Sequence, residues 1–142
     1  MPVTGLTGWW GFVLDAPDPQ ALGRFYSALL GWELARETPD WVTLKPVDGV
    51  AYLGIHANPD HVPPVWPSTA ESQQQQAHLD FEVEGLGAAV ESALALGARL
   101  AEFQPQHDVR VMVDPVGHLF CLYDTTIGPE PAAGLPRTDR SH

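Results

Sequence analysis

The feature that most constrains this chain is an internal repeat. Leu30-Gly31-x-x-Leu34-Ala35 returns 66 positions later as Leu96-Gly97-x-x-Leu100-Ala101. Duplication limits the fold, because each copy must bury one face of the same run of elements.

In the first copy, Trp10 to Leu14 reads as a strand of aromatic and branched residues. Asp18-Pro19 is a helix start, with Asp as N-cap and Pro at the first helical position. Leu22, Phe25, Tyr26, Leu29 and Leu30 recur at helical spacing, and Gly31 supplies the stop. Trp32 to Leu34, Trp41 to Leu44 and Ala51 to His56 read as strands.

Asn58 to Gln76 then breaks the pattern with four prolines, Trp66 and four consecutive glutamines. It is read as a connector that packs across the surface or lids a cleft. The pattern restarts with a strand at His78 to Val83. A helix follows from Leu86 to Leu96, with Val90, Ala93, Leu94 and Leu96 as its buried stripe. Strands at Arg99 to Phe103, Val109 to Val113 and Leu119 to Tyr123 complete the copy. Pattern alone therefore predicts an α+β fold, two tandem βαβββ modules forming a concave mixed sheet with a cleft. A single domain over 1–126 is expected, with module one at about 8–57, the connector at 58–76 and module two at 77–124. Residues 125–142 lack periodicity and are expected to be a disordered tail.

Composition narrows the function. Seven Lys and Arg stand against 18 Asp and Glu, a formal charge of −11. Such a surface repels phosphate backbones and anionic lipid, so neither nucleic acid nor membrane is an expected partner. No apolar run approaches the roughly 18 residues that a membrane-spanning helix needs. The first residues lack the basic-then-apolar layout of a signal peptide. The one cysteine, Cys121, suits a reducing compartment. A cytoplasmic location is the expectation.

Several stretches carry a family resemblance: Asp18-Pro19-x-x-Leu22-x-x-Phe25-Tyr26-x-x-Leu29-Leu30-Gly31-Trp32, His78-Leu79-Asp80-Phe81-x-Val83, Leu96-Gly97-Ala98 and Asp114-Pro115-x-Gly117-His118-x-Phe120-Cys121-Leu122. With Pro63-Pro64-x-Trp66-Pro67, they resemble the glyoxalase-like branch of the vicinal oxygen chelate (glyoxalase/bleomycin resistance/dioxygenase) superfamily. The resemblance runs from about Trp9 to Asp124. It implies a homodimer and a small-molecule ligand held in the cleft. In metal-using members a divalent cation sits there, ligated from one position on the first and last strands of each module, and acts as a Lewis acid. Other members bind and sequester planar drugs without metal.

Carried onto this chain, the resemblance puts the ligand positions at Gly11, His56, His78 and Cys121. Gly11 cannot ligate. Two imidazoles and a thiolate match the ligand types of Zn²⁺, so the cofactor is one divalent metal such as zinc, or none. The facial triad of iron oxygenases needs two His and a carboxylate, which disfavours a dioxygenase.

Each position also has a plainer role. His78 is a metal ligand or general base, or a histidine satisfied by Asp80 or the backbone. His56 is a ligand or an exposed strand-end residue. Cys121 is a ligand or a small buried hydrophobe. Asp114 closes a turn rather than performing catalysis. Trp41, Tyr52, Trp66 and Tyr123 line the cleft and stack on a planar ligand, or belong to the core.

Three functions stay open. One is lyase or isomerase chemistry on an oxygen-rich substrate, with His78 as base or ligand. The second is a metal-free protein sequestering planar antibiotics or metabolites, and the third an interaction module with a vestigial cleft.

Overall fold

The computed structural model describes residues 2–129, which divide into two compact units between Val62 and Pro63. The division falls inside the expected connector, so its second part belongs with module two.

Module one runs β1 (Trp10–Ala16), α1 (Pro19–Leu30), β2 (Glu33–Glu37), β3 (Trp41–Lys45) and β4 (Ala51–Ala57). Its four strands form one mixed sheet in the order β1-β4-β3-β2, with β1 parallel to β4. Asp18 starts the helix as its spacing predicts, its Oδ1 accepting the Ala21 N–H at 3.2 Å. Leu22, Phe25 and Tyr26 are buried on the sheet-facing side of α1, while Leu29 and Leu30 are half-buried. Val42, Leu44, Leu53 and Ile55 supply the buried sheet face. Each such side chain contributes roughly 1.5–3 kcal/mol by leaving water. The Phe25 and Tyr26 rings meet edge to face, with centroids 4.9 Å apart.

Module two repeats the plan with β5 (Leu79–Glu82), α2 (Leu86–Ala95), β6 (Arg99–Leu100), β7 (Val109–Val113) and β8 (Leu119–Tyr123). Its sheet has the order β5-β8-β7-β6, with β5 parallel to β8. These are the two βαβββ modules of the expected α+β fold.

The N-cap of α2 is Gly85, which has no side chain to cap with. Asp124, just past β8, takes over, its Oδ2 accepting the Gly85 N–H at 2.9 Å. A carboxylate there also meets the positive end of the helix dipole.

Two details depart from the sequence reading. Leu94 and Leu96, assigned to the buried stripe of α2, are 38% and 41% exposed. Leu86 and Ala93 hold the buried line; Leu94 lies about 100° around the helix from Ala93, and Leu96 is past the last turn. The strand expected over Arg99 to Phe103 ends at Leu100. Beyond it the Ala101 N–H still donates to the Val111 carbonyl at 3.0 Å, and the Gln104 amide accepts the Val111 N–H and donates to the same carbonyl, both at 2.9 Å.

The segment from Pro63 onward lies along module two. Val65 N–H donates to the Gln73 carbonyl at 2.8 Å, and Trp66 packs on a buried cluster of Val109, Val111, Val113, Leu119 and Cys121. These five residues form the sheet face turned away from α2; Met112, Phe120 and Leu122 alternate onto the other. Of the expected tail, residues from 130 onward lie outside the described residues. Before them, Thr125 Oγ1 donates to Glu82 Oε2 at 2.9 Å. Among the described residues no helix is long and apolar enough to cross a membrane.

Candidate ligand-binding site

The two parallel ladders share one chain offset, Gly11 facing Tyr52 in module one and Leu79 facing Phe120 in module two. Aligned on the helix N-caps Asp18 and Gly85, Gly11 is the counterpart of His78. The pair Val13–Gly54 then matches Asp80–Cys121, and Asp15–His56 matches Glu82–Tyr123. The module-one counterpart of Cys121 is therefore Gly54, and His56 is the counterpart of Tyr123.

Both module-one positions lack side chains, and aromatic rings fill the space. A Cβ at Gly11 would lie 2.2 Å from the Tyr52 ring, and one at Gly54 would lie 2.5 Å from Cη2 of Trp41. Only glycine admits such close approach. A ring laid over a strand glycine restores the contact that the missing side chain gives up. Trp9 stacks on Tyr52, centroids 6.0 Å apart and planes 21° from parallel. Trp9, Trp41, Thr43, Lys45 and Tyr52 line an open pocket of 350 Å³, at the small end of the roughly 300–1,000 Å³ that ligand sites span. His56 stands at the strand end with its side chain 63% exposed, 3.8 Å from Asp15.

In module two, alternation puts His78 and Asp80 on one face of their segment, and the parallel ladder sets Asp80 beside Cys121. His78 Nε2 lies 3.1 Å from Asp80 Oδ1. One ligand-type atom from each of His78, Asp80 and Cys121 falls within 4.8 Å of the others. Cys121 is fully buried. Its thiol pKa is pushed up to about 12, by burial first and then by the charge and hydrogen bond of Asp80. It stays a thiol, which is poorly nucleophilic. Trp66 covers the group, its ring centroid 5.0 Å from that of His78 and 5.4 Å from Phe103. Tyr123 is half-buried at the edge of the same apolar cluster. Asp114 closes the turn before β8, its Oδ1 accepting the N–H groups of Val116 and His118, each at 3.0 Å.

Of the residues singled out in the sequence, Trp41 and Tyr52 share one pocket, while His78, Cys121 and Trp66 share the second module's sheet face. His56 belongs to module one, at the exposed end of β4. Trp9, Asp80 and Phe103 join these surroundings although the sequence reading gave them no site role. Asp80 was within reach of it, lying on the His78 face; its place beside Cys121 needed the strand register.

The cation implied by the resemblance needs a ligand from the first and last strands of each module. Module one offers Gly11 and Gly54, with rings in the space a side chain would need. The residues do not fit that chelate. In module two Asp80 accepts the thiol hydrogen bond and lies against the imidazole.

A family model for the glyoxalase-like domain matches residues 11–123. No curated protein sequence gives a significant match. Among solved structures, a glyoxalase/bleomycin resistance protein/dioxygenase family enzyme from Burkholderia phytofirmans PsJN is similar with TM-score 0.62 and 17% identity, over 80% of this chain and 95% of that one. A glyoxalase-related enzyme from Fulvimarina pelagi gives 0.62 and 18%, over 89% and 94%. Lactoylglutathione lyase from Agrobacterium tumefaciens gives 0.57 and 15%, over 86% and 96%. At these identities the likeness is one of fold. With the matched span covering both modules, the chain belongs to the glyoxalase-like domain family of the vicinal oxygen chelate superfamily.

Proposed function

We propose that this protein binds a planar, oxygen-bearing small molecule on the aromatic face of module one, without a chelated metal. The observation that carries this reading is the replacement of both module-one ligand positions by glycines, with Tyr52 and Trp41 laid over them. That exchange removes donors and supplies flat apolar surface, the chemistry of stacking rather than chelation. Among the described residues, Lys45 is the one charged residue lining the pocket. The global acidity counts for less there, because exposed charges are screened beyond roughly 8–10 Å. An oxygen-bearing or anionic ring system suits Lys45 better than a cation does.

The test is a tryptophan-fluorescence titration with 1-naphthoate in the presence of a chelator, with proflavine as the cationic control. Saturable quenching by 1-naphthoate, weakened about tenfold or more in Trp41→Ala, is the expected result. Quenching by proflavine alone, or binding that requires added metal, overturns the reading.

One observation favours a second reading. The 3.1 Å contact with Asp80 sets a carboxylate beside the His78 imidazole, the pairing that a general base uses, in keeping with lyase or isomerase chemistry. Against it, Trp66 leaves the His78 side chain only 11% exposed. Turnover of the hemithioacetal of methylglyoxal and glutathione, lost in His78→Ala and kept in Trp41→Ala, would select it.

As protein partner, a second copy of this chain is part of the proposal. Edge strand β1 presents Trp10 and Val13, 59% and 46% exposed on opposite faces of the sheet, and an unpaired strand edge is suited to pairing with a second copy. Sedimentation at a dimer mass is the expected outcome; a monomer at all concentrations contradicts it.

A further inference from the structure

Module two holds a cavity of 490 Å³ that the reading above does not use. Val113 and Leu119 line its apolar base, both nearly buried. Trp66 and Phe103 line it as well, their ring centroids 5.4 Å apart and their planes at 59°, together with prolines of the 63–67 segment. Its size falls within the roughly 300–1,000 Å³ of small-molecule sites.

Two opposite charges border it, Arg99 and Glu102. Both are exposed. Among the described residues neither takes part in an ion pair or a side-chain hydrogen bond, with each other or with any neighbour. The short β6 accounts for their placement. Arg99 pairs with Val113 on β7, and the ladder gives way to the Gln104 amide just beyond Glu102. The chain is thus held at Arg99 and again at Gln104, and between these points it carries one cation and one anion to the same cavity.

We propose that this cavity binds a small zwitterion bearing an apolar ring, the chemistry of a free aromatic α-amino acid. The ring lies against Trp66 and Phe103 over Val113 and Leu119, the carboxylate meets the Arg99 guanidinium, and the ammonium meets Glu102. A guanidinium matches a carboxylate with two parallel donors, and a carboxylate accepts from an ammonium. A ligand with one charge leaves the other border residue unmatched. A zwitterion without a ring leaves the apolar base uncovered.

Calorimetric titration of the full chain with four probes tests this: L-phenylalanine, phenylacetate, phenethylamine and glycine. L-Phenylalanine should bind most tightly, each of the other three being at least about threefold weaker, the scale of one exposed charge contact. Arg99→Gln should abolish its advantage over phenethylamine, and Glu102→Gln its advantage over phenylacetate. Both residues are exposed, so both variants should fold as the parent does, which circular dichroism checks. Phenylacetate binding as tightly as L-phenylalanine, equal losses against all probes in both variants, or no saturable heat with L-phenylalanine overturns the proposal.

Discussion

Trp41 occupies the space above Gly54: a Cβ on that glycine would sit 2.5 Å from the indole Cη2. The ring and the missing side chain are one feature, so neither can change without the other. Gly54 also pairs across the sheet with Thr43 and Val13, which holds its backbone in place while the ring rests on it.

Gly54→Ala should therefore displace the indole rather than the strand. Forcing one methyl group into that contact is expected to cost about 1–2 kcal/mol, read as a lower urea midpoint at unchanged slope. Binding of 1-naphthoate should fall in parallel, because the displaced ring no longer forms the pocket wall.

Cys121 should be inert in the folded protein. Its thiol pKa, up at about 12 from a reference of 9.0, means that the folded state holds its proton where the unfolded chain has released it. The contribution is complete below pH 9.0 and falls away as pH rises toward about 12, by up to about 1.4 kcal/mol per pH unit. Urea midpoints of wild type and Cys121→Ala across pH 8 to 11 check this, with the extra alkaline loss expected in wild type alone. A thiol reagent at neutral pH should label Cys121 only on unfolding. Asp80→Asn removes the second-largest cause of the shift and should lower the thiol pKa.

Asp124 works in the opposite direction. Hydrogen bonds from the Thr126 hydroxyl and N–H, and from the Gly85 N–H, hold its carboxyl below the usual 3.8. A depressed pKa stabilises the fold above the unfolded value and is lost as pH falls through the folded one. Asp124→Asn should lower stability at neutral pH and flatten the acid limb of the stability profile. The N-terminal turn of α2 should show the largest gain in amide exchange, since Gly85 then loses its charged acceptor.

Much of the fold was legible in residue pattern. Asp18-Pro19 fixed the start of α1, and β7 and β8 fall at Val109–Val113 and Leu119–Tyr123 as their alternation predicts. Leu96 misled because it satisfies a periodicity that the helix does not extend to, and Leu94 because an apolar residue beside the buried line reads as part of it. The truncated β6 was hidden because a glutamine side chain there imitates a backbone partner.

The site was only half visible. Alternation along the strand puts His78 and Asp80 on one face, and Trp41 and Tyr52 stood in the sequence as flat rings that line a cleft or belong to the core. The equivalence of Cys121 with Gly54 depends on inter-strand register, which a single sequence does not carry. The stacking of Trp9 on Tyr52 comes from a residue just outside β1, where no periodicity applies.

The central claim is that a planar ligand is held by the rings over Gly11 and Gly54. The most direct measurement is the shift of the five tryptophan indole N–H resonances on titrating ¹⁵N-labelled, chelator-treated protein with 1-naphthoate. The Trp9 and Trp41 signals should move together along one saturation curve, and should do so equally in Arg99→Gln, which takes the carboxylate partner from the module-two cavity. Movement of Trp66 alone, or no movement until a divalent cation is added, would contradict the account.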